Sequence, residues 1–117
     1  MKNDLLERLF DFAIRVIKFL RTLPDNPETK IVRYQLIKCS TSTGANYEEA
    51  QAGSSKADFT NKVKISLREM RESNYWLRII TALEFNNINK NELEWLLNES
   101  KELKLILGSI VQKSRKQ

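Results

Sequence analysis

Two stretches of the chain place polar side chains where a packed helix is ordinarily apolar. In the first, Gln35, Cys39, Ser42, Asn46 and Glu49 recur at alternating intervals of four and three, the spacing of a helical packing seam. In the second, Lys62, Ile65, Glu69, Glu72, Trp76, Ile79 and Leu83 repeat that spacing, with two carboxylates interrupting an apolar stripe. Glu69 and Glu72 are close enough in sequence to share a helical face. Clustered carboxylates can hold a hard cation or divide the work of glycoside hydrolysis between them. The sequence supports neither use well, because it has no Asp-rich loop for a cation and no aromatic platform for a sugar. The preferred reading is architectural. Buried polar groups are costly unless paired, so Ser42, Asn46, Glu49, Glu69 and Glu72 are expected to form an enclosed polar seam that fixes helix register. Asn46 should lie near Glu69, and Glu49 near the start of the following helix. Contact across a subunit boundary is the remaining reading.

The chain has no histidine. That excludes a Ser-His-Asp triad, a helical Glu-x-x-His iron site and a Cys/His zinc cluster. Its one cysteine, Cys39, has no basic imidazole to activate it and is expected to be a small buried residue. No catalytic residue, metal ligand or cofactor site is assigned, and the chain is expected not to be an enzyme. A hydrolase using the carboxylates of the second and third helices is the least favoured alternative.

Placing these residues requires long helices. Only 3 Gly and 2 Pro occur in 117 residues, against 41% hydrophobic content, which favours a few long helices over many strands. The first helix is predicted over residues 4–22, with Leu5, Leu6, Leu9, Phe10, Ala13, Val16, Ile17 and Leu20 as its apolar face. Pro24 should stop it. A second helix over 27–51 starts with Asn26 as cap and Pro27 at its first position. Gly44 lies mid-helix, where it allows another helix to come close. Gly53 fits a left-handed C-terminal cap and Ser55 the next N-cap. A third helix over 56–84 carries two seams: Phe59, Val63, Ser66, Met70, Ser73, Leu77 and Ile80, and the mixed stripe containing Glu69 and Glu72. Asn89 then caps a fourth helix over 90–113. Short connections between four long helices give an all-α, single-domain, antiparallel up-down four-helix bundle spanning residues 1–117. No run of residues is apolar enough to span a bilayer and the N-terminus does not read as a signal peptide, so the expected location is cytoplasmic, with no membrane contact.

The balance of 20 Lys and Arg against 15 Asp and Glu gives a net charge of +5. Lys62, Lys64, Arg68, Arg71 and Arg78 decorate the third helix, and Lys113, Arg115 and Lys116 form a basic end to the fourth. These are the candidate nucleic-acid-binding residues, and any contact would be led by phosphate. Tyr75, Trp76 and Trp95 are large residues on helices that already have core seams, which makes them candidates for a subunit interface.

Three segments resemble a known family. Ser40-Thr41-Ser42-Thr43-Gly44-Ala45-Asn46-Tyr47-Glu48-Glu49-Ala50 is similar to its second-helix signature, Ser55-Lys56-Ala57-Asp58-Phe59 to the opening of its third helix, and residues 66–77 to its third-helix core. The family is the four-helix-bundle protein encoded within intervening sequences of 23S ribosomal RNA genes, often labelled ribosomal. Ala50 stands where the family pattern usually has glycine. The resemblance implies a homo-oligomer, most often a pentamer, and association with RNA or a nucleoprotein. It carries no firm biochemical activity. The function expected from the sequence is therefore a non-catalytic, self-associating RNA- or nucleoprotein-associated accessory factor. The alternative is a structural or protein-interaction module without nucleic acid.

Overall fold

A computed structural model describes residues 4–115. Four helices run in chain order: α1 (Asp4–Leu20), α2 (Pro27–Gln51), α3 (Lys56–Leu83) and α4 (Lys90–Arg115). Each helix packs on its neighbours in sequence, and α4 closes the ring against α1. This is an up-down four-helix bundle, with a long axis of 48 Å and cross-section of 24 × 20 Å.

The caps follow the sequence at the helix starts. The Thr29 N–H donates to Asn26 Oδ1 (2.8 Å), the Asp58 N–H to Ser55 Oγ (3.1 Å) and the Glu92 N–H to Asn89 Oδ1 (3.0 Å), each satisfying an orphan donor of a first turn. The helix ends differ from expectation. Gly53 does not adopt a positive φ; the left-handed residues are Glu84 (φ 53°) and Asn87 (φ 58°), which form the turn after α3. A Cβ on Gly53 would lie 3.1 Å from the Ala50 carbonyl oxygen, so this glycine gives room rather than handedness. At the end of α1, Arg33 reaches back from α2. Its guanidinium donates to the Leu20 carbonyl (3.0 Å) and the Leu23 carbonyl (2.5 Å), and to Asp25 Oδ1 (2.7 Å), occupying acceptors that the helix leaves free.

The core is built from Leu9, Phe12, Val16, Leu20, Leu36, Val63, Met70, Leu77, Ile80, Leu96, Leu103 and Leu107, all fully buried. On α1 the buried stripe is rotated from the expected one. Phe12 and Phe19 are inside, while Phe10 is 66% exposed. Gly44 performs the expected role, because a Cβ there would sit 3.5 Å from Leu9 Cβ, at van der Waals contact with α1.

The polar seam needs correction. On α3 the expected first seam is buried from Val63 to Ile80, with Phe59 half-buried, but the stripe holding Ile65, Glu69, Glu72, Trp76 and Ile79 is only half-buried. Glu49 is exposed, and Ser42 and Asn46 are half-buried. Asn46 Nδ2 donates to Ser42 within its own helix, at 2.9 Å to the carbonyl and 3.0 Å to Oγ. Glu72 accepts from Trp76 Nε1 (3.2 Å), one turn along α3, and Glu69 lies 4.0 Å from Arg68. Three buried bonds cross between helices, and of the expected α2 seam only Cys39 takes part in them. Ser66 Oγ donates to the Thr43 carbonyl (2.7 Å), Ser73 Oγ to Cys39 Sγ (3.2 Å) and Asn74 Nδ2 to Ser100 Oγ (2.9 Å). Small neutral polar groups bridge the helices without holding them apart, whereas a carboxylate at the same depth would carry a desolvation cost.

Candidate nucleic-acid interface

Two seams of α4 carry opposite charge patterns. Glu92, Glu99 and Glu102 turn toward α1, whereas Glu94 lies beside Ile80, Thr81 and Glu84 at the other end of the α3–α4 seam. Arg8 donates to Glu99 through both Nε (3.1 Å) and a terminal nitrogen (2.8 Å), and to Glu102 (2.8 Å). Arg15 grips Glu92 with two bonds of 2.9 and 2.6 Å, while its guanidinium lies 3.4 Å from the centre of the Trp95 ring. The hydrogen bonds from Arg15 hold the Glu92 carboxyl below its usual range, against an opposing effect of burial. The same pairing raises Arg15.

The other seam, between α3 and α4, opens outward as a groove of about 850 Å³ lined by Arg71, Arg78, Lys104, Leu105, Gly108, Ser109, Gln112 and Lys113. Four cations and no acid line it. The register there is set by the Asn74–Ser100 bond and, near the far end of α3, by a contact between the hydroxyls of Thr60 and Ser114. Because α3 and α4 run antiparallel, these two levels bring Arg71 close to the level of Lys104. Gly108 forms part of the groove floor, and a Cβ added to it would meet nothing within 4 Å.

The structure brings some of the sequence candidates together and separates others. Arg71, Arg78 and Lys113 share the groove. Lys64 and Arg68 are exposed on the same side of α3. Lys62 departs from the group: it is half-buried, and its helical position belongs with Glu69 on the opposite edge of α3. Arg115 is exposed at the end of α4, and Lys116 lies outside the described residues. Lys104, Ser109 and Gln112 are the additions. No acid occurs after Glu102, but which α4 residues face α3 depends on the register between the helices.

The three aromatic candidates for a subunit interface are engaged within the chain to different degrees. Trp95 is half-buried beneath Arg15. Trp76 is half-buried and tied to Glu72. Tyr75 is 49% exposed, with its ring edge-on to Trp76 at 5.6 Å. The broader exposed apolar surface lies elsewhere, where Phe10 and Ile14 of α1 flank a cleft of about 320 Å³ against Thr41, Gly44, Ala45 and Glu48 of α2. Ile31 and Tyr34, exposed by 61% and 64%, follow on the outer row of α2.

Cys39 is buried, and burial pushes its thiol up to about 11, with the Ser73 hydrogen bond acting in the opposite sense. Such a thiol is a poor nucleophile at neutral pH. Among the described residues no group of three or more Cys, Asp and Glu side chains is arranged to hold a metal ion. No helix among them is long and apolar enough to cross a membrane.

Comparison with known proteins agrees with this architecture. No curated protein shows significant similarity to the chain. A crystal structure of a protein of unknown function from the S23 ribosomal protein family of Bacteroides thetaiotaomicron VPI-5482 superimposes with a TM-score of 0.80 at 32% sequence identity, covering 92% of this chain and 97% of that one. The family model described as 23S rRNA-intervening sequence protein matches residues 1–109. With nearly its whole length matched, the chain belongs to the 23S rRNA-intervening sequence protein family.

Proposed function

We propose that this protein is a non-catalytic accessory factor that self-associates and binds RNA through the groove between α3 and α4. The observation that carries this reading is the grouping of Arg71, Arg78, Lys104 and Lys113 around one open groove that no carboxylate lines. Phosphate contact needs cations that are not already neutralised, and Lys and Arg at the surface provide it without base-specific geometry. The family description and the name of the Bacteroides relative, both referring to ribosomal RNA or the ribosome, point to RNA as the polyanion.

Self-association raises weak phosphate contacts to useful affinity by repeating them. The exposed apolar face of α1 and α2, with Phe10, Ile14, Ile31 and Tyr34, supports a second copy as its occupant. The pentamer implied by the family resemblance is the assembly proposed. Light scattering coupled to size exclusion tests it, and a monomeric mass with Phe10 and Tyr34 intact would refute it.

RNA binding is tested by fluorescence anisotropy with a structured ribosomal RNA fragment at low and moderate salt. The Arg71→Gln, Arg78→Gln, Lys104→Gln variant should bind more weakly and with a flatter salt dependence, by about 0.7–0.9 in slope for each phosphate no longer neutralised. An unchanged slope would place the binding face elsewhere. No binding at low salt would remove the RNA role altogether.

A further inference from the structure

The exposed face of α3 is ordered in a way that a generic basic patch does not require. Lys64, Arg68, Arg71, Tyr75 and Arg78 are all exposed and follow one another at intervals of four, three, four and three. At helical pitch they fall within an arc of about 80° and extend along about 21 Å of the helix. One aromatic ring thus stands in a row of four cations, beside a groove that adds Lys104 and Lys113 from α4.

The ring is also braced. Tyr75 stands edge-on to Trp76, with centroids 5.6 Å apart and planes at 77°. Trp76 is itself held by its Nε1 bond to Glu72. On the C-terminal side the Arg78 guanidinium sits 5.6 Å from the Tyr75 ring centre, and Arg78 Nε is fixed by Asn74 Oδ1 (3.0 Å). The Tyr75 ring thus has neighbours on two sides yet remains 49% exposed, outside the core. Gly108 adds an independent observation. It lies mid-helix in α4, where glycine is unfavourable relative to alanine, and among the described residues a Cβ there would meet nothing within 4 Å. Its effect is to lower the groove floor.

We infer that this face is a track for unpaired, single-stranded nucleic acid, its phosphates following Lys64, Arg68, Arg71 and Lys104 and one base stacking on Tyr75. The inference rests on the RNA-binding reading and narrows it. Base–aromatic stacking needs a base that is free of its partner strand, whereas a duplex offers the protein only phosphates and groove edges. A row of cations with an aromatic surface set among them tolerates any base sequence, because every base has a face to stack. Its length suits a short stretch of strand, within the range of about 4–16 nucleotides covered by comparable grooves.

The experiment is an anisotropy titration of the full chain with a labelled single-stranded RNA, the same strand annealed to its complement, and labelled polyglutamate. Single-stranded RNA should bind most tightly. Tyr75→Ala should weaken it about tenfold and leave the salt slope unchanged, while Arg71→Gln should lower the slope by about 0.7. Tyr75→Leu keeps an apolar neighbour for Trp76 and should fail as Tyr75→Ala does, whereas Tyr75→Trp should restore binding. The mass and thermal midpoint of each variant confirm that its assembly and fold persist. Equal affinity for duplex and single strand, or unaltered binding by both Tyr75→Ala and Tyr75→Leu, would overturn the single-strand assignment and leave RNA binding standing. Polyglutamate binding as tightly as single-stranded RNA would also overturn it, in favour of an acidic protein partner. Absence of binding to either RNA at low salt would overturn this inference and the broader reading together.

Discussion

Replacing Arg15 with alanine should destabilise the bundle by about 1–2 kcal/mol near neutral pH, and by less in acid. The guanidinium makes two bonds to Glu92 and covers the Trp95 ring at 3.4 Å. The side chains of Arg15 and Glu92 retain 39% and 23% of their exposure, so solvent screening limits the ion pair to about 0.5–1 kcal/mol. The cation–π interaction adds about 0.5–1 kcal/mol. For a chain of this size each kcal/mol shifts the thermal midpoint by roughly 4 °C, giving a loss of about 4–8 °C. The pH dependence has a definite sign. Hydrogen bonding to Arg15 lowers the folded Glu92 pKa, so the pair's contribution is full above the unfolded value, near about 4.3. It is lost as pH falls through the lower folded value. At strongly acid pH the difference between wild type and Arg15→Ala should shrink to the cation–π part. Thermal melts of wild type, Arg15→Ala, Glu92→Gln and the double variant across pH give the coupling directly. A difference independent of pH, or full retention of stability in Arg15→Lys, would refute the two-part account, because lysine cannot supply the planar fork and the stacked face together.

Three further outcomes follow from the packing. Gly44→Ala should raise stability by about 0.5–1 kcal/mol in chemical denaturation, since its Cβ would meet Leu9 only at 3.5 Å and alanine is the better helix former; Gly44→Leu should lower stability by forcing α1 and α2 apart. Ser66→Val should lose about 1–3 kcal/mol, because it removes the buried bond to the Thr43 carbonyl and adds bulk at a fully buried α2–α3 contact. Cys39 should react with an aromatic disulfide reagent only as fast as the bundle opens, and rapid labelling of the native protein at pH 8 would show that the thiol is not enclosed as described.

Helix existence, the starting caps at Asn26, Ser55 and Asn89, and the close approach at Gly44 were legible because each depends on local chemistry. What was less legible depends on rotation about a helix axis. The row containing Gln35, Cys39, Ser42, Asn46 and Glu49, of which only Cys39 is buried, and the row containing Glu69 and Glu72 both have seam spacing. So do the neighbouring rows of Ser40, Thr43, Ser66 and Ser73, which are the ones enclosed. Spacing alone gives the period of a stripe, and only the partner helix decides which of two adjacent stripes faces inward. The same ambiguity explains α1, where Phe10, Ile14 and Ile17 form an apolar row as regular as the buried one. Gly53 was misread for another reason. Glycine at a helix end usually marks left-handed backbone, but the tight turn into α3 uses its small size, and Glu84 carries the positive φ at the next turn. The basic groove was half legible: the α3 contribution was apparent from sequence, and the α4 contribution required the register between the helices.

The net charge of +5 understates what the surface presents, because the charges are sorted. Arg8 and Arg15 draw Glu92, Glu99 and Glu102 to the α1 side of α4. An α-helix with its side chains is about 10–12 Å across, roughly one Debye length at physiological ionic strength. The acids on one edge of α4 are therefore largely screened from the cations on the other, and the helix separates two electrostatic surfaces. Had the same glutamates occupied the positions of Lys104 and Gln112, the composition would barely change, yet Arg71 and Arg78 would be paired at home and unavailable to phosphate. The α1–α4 ion pairs thus contribute twice. They tie the last helix to the first, and they keep Glu92, Glu99 and Glu102 away from the groove of Arg71, Arg78, Lys104 and Lys113, which no carboxylate lines.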